Sequence, residues 1–227
     1  MRIIDYCVVH KGIKPINNDD NIYLNGYFLP RINDGLDNYK LKINNTSKEL
    51  IYAVFDGIGG LGNGEYASSV ASTNIIKGLN YINSKLLEIK HSEFIDLGTT
   101  ASIVKINKNN LSIEQVGDSP VYIYSNNKLS KYIEKKDNTN LLDNYLGKQE
   151  NIIIEKNNIK LKNKDIIVIC SDGLSSMVSD TDIEKIISSS NDVKYITNKL
   201  LNESLKNGGN DNVSIIVLKV EKLLGIF

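Results

Sequence analysis

The chain has 227 residues, 41% of them hydrophobic, and its 27 Lys plus Arg balance 27 Asp plus Glu, leaving no formal net charge. That length supports one domain with a substantial core or two small ones. Neutrality argues against a nucleic-acid partner, which needs a basic face to neutralise phosphates.

Residues 2–10 alternate as a strand does, and 21–24 read as a short second strand. Residues 27–48 are polar, with Pro30, Gly35 and several Asn, and predict a long loop or a weak hairpin. A strand at 50–56 follows. Apolar residues at Ala67, Val70, Ala71, Ile75, Leu79, Ile82 and Leu86 predict one long amphipathic helix from Gly64 to about Lys90. Residues 97–106, 111–117 and 121–124 read as strands of an antiparallel meander, and 137–146 as weakly helical or irregular. Lys131 to Asp137 alternates Lys with acids and reads as solvated surface. Strands at 152–155 and 165–171, helices at 180–188 and 192–206, a stop at Gly208-Gly209 and a last strand at 212–220 complete the chain. This order lacks the strict alternation of a doubly wound sheet. It predicts an α+β protein: two mostly antiparallel sheets packed as a sandwich with helices on both sides, in one domain spanning 1–227.

No apolar run reaches membrane-spanning length, and Asp5 interrupts the start where a secretory segment would run on. Cys7 and Cys170 lie inside apolar runs, as buried reduced thiols do. A soluble, cytoplasmic monomer with no membrane partner is expected.

Two apolar strands end alike, in Phe55-Asp56-Gly57 and in Cys170-Ser171-Asp172-Gly173. Asp-Gly usually marks a hairpin, but no second strand follows either site. Asp118 and Asp211 also stand at strand termini. Four such Asp resemble a ligand set for hard cations, which prefer carboxylate oxygens. Gly57-Ile-Gly59-Gly60-Leu-Gly62 fits a dinucleotide fingerprint, but Asp56 would repel a pyrophosphate and no acidic strand end follows where the ribose ligand belongs. His10 and His91 lie outside every motif and read as surface or satisfied groups; Thr99 and Thr100 read as packing residues, and Ser119 and Ser171 as backbone-satisfying hydroxyls.

Asp56-Gly-Ile-Gly-Gly60, then Gly64-Glu65 and Ala67-Ser68, resembles the signature of the metal-dependent, type 2C serine/threonine protein phosphatases. Asn18-Asp19-Asp20, Gly98-Thr99-Thr100, Gly117-Asp118-Ser119, Cys170-Ser-Asp172-Gly173-Leu174 and Gly209-Asn-Asp211-Asn212-Val213 match further motifs of that family in its order. The resemblance implies a pair of Mn²⁺ or Mg²⁺ ions between two sheets. Asp56 would bridge both ions, the Gly57 carbonyl would complete one shell, and Asp172 and Asp211 would hold the other. Asp118 would serve a third ion, and Asp20, with Asp19, would act through waters on the metals. The implied reaction is in-line attack of a metal-bridging hydroxide on a phosphoserine or phosphothreonine of a protein, with a bacterial Ser/Thr kinase as the opposing enzyme.

The resemblance frays in substrate handling. Pro15, beside Lys14, stands where the family has a phosphate-gripping Arg, so Lys14 is the candidate, with Lys11 or Arg31 as substitutes. Asp19 replaces a Glu, Pro120 an Arg, Ile58 a His found in eukaryotic members, and 137–148 is a short flap. A catalytically weak or inactive phosphoprotein-binding module is the alternative, and a hydrolase of small phosphoesters a third reading. The retained carboxylates favour activity, since clustered Asp without cations destabilises a fold.

Overall fold

Strands whose every residue is apolar must be covered on both faces, and β11 (Ile166–Cys170) is the clearest case, since all five of its residues are buried. Ile167 and Ile169 face one core, Val168 and Cys170 another. The computed structural model, which describes residues 1–44, 49–132 and 143–223, shows how both faces are filled.

Two six-stranded antiparallel sheets pack face to face. One has the order β4 (Gly35–Asn44), β1 (Arg2–His10), β12 (Val213–Lys222), β11, β8 (Val121–Ser125), β9 (Lys128–Tyr132). The other runs β10 (Glu155–Lys160), β7 (Asn110–Val116), β6 (Ala101–Asn107), β5 (Leu50–Phe55), β2 (Asn21–Leu24), β3 (Tyr27–Phe28). Ile3, Cys7, Ile22, Val54, Val104, Ile169 and Ile216 interdigitate in the core between them. Helices α1 (Gly64–Asn74) and α2 (Leu79–Glu93) cover the second sheet, where Ala67, Ala71, Ile82 and Leu86 meet Ala53, Phe55 and Ile103. Helices α3 (Asp172–Ser175), α4 (Asp180–Ser188) and α5 (Val193–Lys206) cover the first, with Leu174, Ile183, Ile196 and Leu200 against Val168, Cys170 and Ile215. The result is the expected four-layer α+β sandwich. None of its helices is long and apolar enough to cross a membrane, among the described residues.

Departures from the expected elements have local causes. Within 27–48, residues 27–44 form neither a long loop nor a hairpin of their own, for they contribute β3 and β4 as edge strands of different sheets, and 45–48 lie outside the described residues. Edge strands are held by backbone pairing and need little apolar alternation, so their polar composition conceals them. β9 is an edge strand concealed in the same way, and β10 begins at Glu155, where the apolar run at 152–155 predicted it would end. β6 begins at Ala101 because 97–100 is irregular, joined to Gly57 and Leu146 by isolated bridges at Thr99. The single long helix is two. Gly78 adopts φ +86°, a left-handed value that glycine tolerates, after a 3₁₀ turn at Ile75–Lys77. Residues 137–142 lie outside the described part of the chain.

Close backbone approach explains Gly173. A Cβ there would lie 2.0 Å from the Asn212 carbonyl oxygen. Gly173→Ala is expected to destabilise the fold by at least about 2 kcal/mol, read as the shift of the urea midpoint; an unchanged midpoint would show that the β11–β12 ends are not held this tightly.

Candidate active site

Register brings the carboxylates together. β2 pairs with β5 so that Asn21 faces Phe55, which sets Asp20 beside Asp56. β11 pairs with β12, Cys170 facing Ile215, and β8 with β11, Ile169 facing Val121. Asp172, Asp211 and Asp118 thereby arrive at the same end of the sandwich. They line a cavity of about 550 Å³ together with Asp19, Asp56, Gly57, Thr100 and Asn212. The remaining lining is Pro15, Ile16, Asn17, Ile58, Gly59 and Gly60, and it includes no Lys, Arg or His among the described residues.

Asp20 is buried behind this wall. Its Oδ2 accepts a hydrogen bond of 2.6 Å from Ser214, and its Oδ1 has no partner. Burial, then the charges of Asp20, Asp172, Asp211 and Asp118, hold the Asp56 carboxyl well above its usual range. Burial followed by Asp118 and Asp211 raises Asp172 to about 6. Asp20 rises to about 7, mainly through burial and despite its Ser214 bond. Asp19 is raised by burial, Glu65 and Asp211.

The backbone around these groups is held by residues that looked like packing. Thr99 Oγ1 and the Thr100 amide both donate to the Asp56 carbonyl, at 2.9 and 2.8 Å, and the Asp56 amide donates to Thr100 Oγ1. Thr100 Oγ1 also bonds Ser119 Oγ at 2.7 Å, and Ser102 and Gln115 secure the Ser119 carbonyl. Ser171 Oγ accepts from the Ser214 amide and donates to the Asn212 carbonyl, as the backbone-satisfying reading expects. Asn212 is the central clamp. Its Nδ2 donates to the carbonyls of Lys11 and Asn17, and its Oδ1 accepts from the Asp19 amide at 2.7 Å. An Asp-Asn pair before a strand signals a cap, but the partners 193 and more residues away are invisible in sequence.

Among the basic candidates, Lys14 is exposed and stands outside the cavity lining. Arg31 is engaged elsewhere, donating to Glu65 Oε1 from Nε and Nη2 and stacking 3.9 Å over Tyr66. His10 accepts from the Gly12 amide.

The donor set fits divalent cations in chemistry. It consists of hard carboxylate oxygens, mutually repelling and partly desolvated, with the Asp20 Oδ1 acceptor left over. No three acidic, His or Cys side chains among the described residues are already closed into a metal-holding group. The fit therefore rests on donor type and charge.

No family model matches the chain. The "Serine/threonine phosphatase stp" of Listeria welshimeri is 25% identical over 218 residues, covering 77% of this chain and 86% of that protein. Among solved structures, the catalytic domain of the serine threonine protein phosphatase PstP, in complex with two manganese ions, superposes with a TM-score of 0.76 at 22% identity, over 98% of this chain and all of that one. The serine/threonine phosphatase of S. agalactiae superposes at 0.78 with 18% identity, over 96% of this chain and all of that one. The sandwich is thus the type 2C protein phosphatase fold. The chain's sequence relatives are likewise named serine/threonine phosphatases of bacteria.

Two outcomes follow from the geometry. Asn212→Ala removes three hydrogen bonds to the 11–19 segment, so a loss of about 2–4 kcal/mol is expected, with faster hydrogen exchange at the Asp19 amide. Unchanged protection there would show that the clamp does not hold the segment. The raised carboxyls take up protons on folding. Stability from this source is complete below the unfolded value of about 4. It is lost as pH rises through about 6 for Asp172 and about 7 for Asp20. Chelator-treated protein should therefore melt lower at about pH 8 than at about pH 5, and added Mn²⁺ should restore it. Calorimetry showing a melting temperature that climbs over that window would contradict the crowding.

Proposed function

We propose that the chain, as one catalytic domain over 1–227, is a divalent-cation-dependent serine/threonine phosphoprotein phosphatase. The observation that carries this is a cavity lined by carboxylates, with no basic residue among the described lining, at the end of a type 2C sandwich. Asp56, the Gly57 carbonyl, Asp172 and Asp211 would hold two Mn²⁺ or Mg²⁺ ions, and Asp118 a third. The manganese in the PstP structure supports the pair and favours Mn²⁺. When bound, such ions neutralise a phosphomonoester dianion and make water a nucleophile near neutral pH.

The protein's own groups supply placement. Thr99 and Thr100 fix the Asp56 backbone, and Asn212 holds Asp19 at the cavity wall. Asp20, pinned by Ser214, keeps its remaining oxygen without a partner. No imidazole lines the cavity and Ile58 stands at its rim, so the leaving alkoxide takes its proton without a His. Lys14 would meet the phosphate only by moving inward, and the lining favours phosphate capture by the cations alone. Substrates would be phosphorylated proteins in the cytoplasm, set against a Ser/Thr kinase, and the enzyme would act as a monomer. The intact carboxylate set supports catalysis over a binding-only module.

Mn²⁺-dependent phosphate release from a phosphothreonine peptide tests this. Asp172→Asn is expected to lower kcat/KM by at least about a hundredfold while the protein stays folded by circular dichroism. Release unaffected by the substitution, or none from folded wild type across millimolar metal, would overturn the proposal.

A further inference from the structure

Beside the catalytic cavity lies a second, smaller one of about 200 Å³, and the two share Ile16 and Asn17 in their walls. Its apolar lining is Ile16 and Ile32, the other five residues being polar or charged. Ile16 and Ile32 are 89% and 84% exposed, an unfavourable placement for two large aliphatic side chains at the rim of an acidic site. Its polar end is made by Asn18, Asp34 and Glu65.

Asn18 gives the cavity a direction. The residue is 4% exposed, its Nδ2 donates to Asn33 Oδ1 at 2.6 Å, and its Oδ1 accepts nothing. A buried amide oxygen without a donor is a costly arrangement unless a ligand supplies one. Asn33 is itself fixed, donating to the Pro30 carbonyl and accepting from the Gly35 amide, so this wall is preformed. Glu65 is already paired with Arg31, whereas Asp34 forms no ion pair among the described residues. A small cavity that combines two aliphatic side chains with an unpaired carboxylate and a free acceptor complements a long side chain with a cationic tip, whose stem is apolar and whose charge sits at the end.

We propose that this side cavity binds a Lys or Arg of the substrate lying close in sequence to the phosphorylated residue, the stem between Ile16 and Ile32 and the head at Asp34 and Asn18 Oδ1. The assignment rests on the phosphatase reading above and adds the substrate class to it. A peptide would thus be held at two points of opposite sign, its phosphate in the cation-loaded cavity and its basic residue in the acidic one. Among the described residues neither lining includes a Lys or Arg, consistent with that division.

The experiment uses Mn²⁺-loaded full chain and a set of phosphothreonine peptides. A single Lys is moved through successive positions on either side of the phosphothreonine, with norleucine and Ala at the same places, and p-nitrophenyl phosphate serves as a substrate too small to reach the side cavity. At one position Lys should raise kcat/KM on the order of fivefold over Ala, with norleucine between them. Asp34→Lys should abolish that preference, and Ile32→Ser should reduce it, with p-nitrophenyl phosphate turnover unchanged in both. No preference at any position, norleucine equal to Lys, or a preference that survives Asp34→Lys would each overturn the proposal. Should neither peptide nor small ester be hydrolysed, the phosphatase reading fails, and anisotropy of the labelled Lys and Ala peptides still decides the cavity: equal affinity overturns it.

Discussion

Beyond burial, the charges of Asp118 and Asp211 raise the proton affinity of both Asp56 and Asp172, and Asp20 raises that of Asp56 further. Like charges brought together in a partly desolvated place work against the fold that gathers them until protons or cations neutralise them. Everything near this end of the molecule can be understood as opposing that repulsion. The sandwich brings four buried layers to bear, and its interior is apolar from helix to helix.

Between the apolar layers and the carboxylates lies a thin shell of hydroxyls and amides. Thr99, Thr100, Ser102, Gln115, Ser119, Ser171, Asn212 and Ser214 carry little charge, yet each fixes backbone or side chain next to an Asp. Most are fully buried, so their hydrogen bonds operate in surroundings where an unmade bond is expensive. A neutral shell is well suited to this position, because basic residues would neutralise the Asp directly and compete with cations for them.

The legible parts of the sequence were those with one physical cause. Strands buried on both faces, such as β5 and β11, announced themselves as apolar runs, and α4 and α5 opened on the capping residues Ser179 and Asp192, one of them a residue before the expected start. The Asp at the strand ends was conspicuous because a charge there has few structural excuses. Edge strands β4, β9 and β10 were obscured, since their pairing uses backbone groups that every residue possesses. The division of α1 from α2 turned on one glycine's φ. The Asn212 clamp and the threonine lock on Asp56 join segments distant in the chain, and local pattern holds no record of such partners. Basic residues were misleading in a similar way: Arg31 looked available from its charge, whereas its geometry commits it to Glu65 and Tyr66.

Pairing register has one more implication. Asp20 and Asp56 extend from hydrogen-bonded neighbours in one sheet, and Asp172 and Asp211 from hydrogen-bonded neighbours in the other. Adjacent strands are spaced by about 4.8 Å and facing sheets by about 10 Å. The backbone ladder therefore acts as a ruler with fixed divisions, and the interval between carboxylates within each sheet is inherited from it. Side-chain substitution can change what is held at a mark, but only a register slip can move the mark, and a slip of one residue would turn every neighbouring side chain to the opposite face.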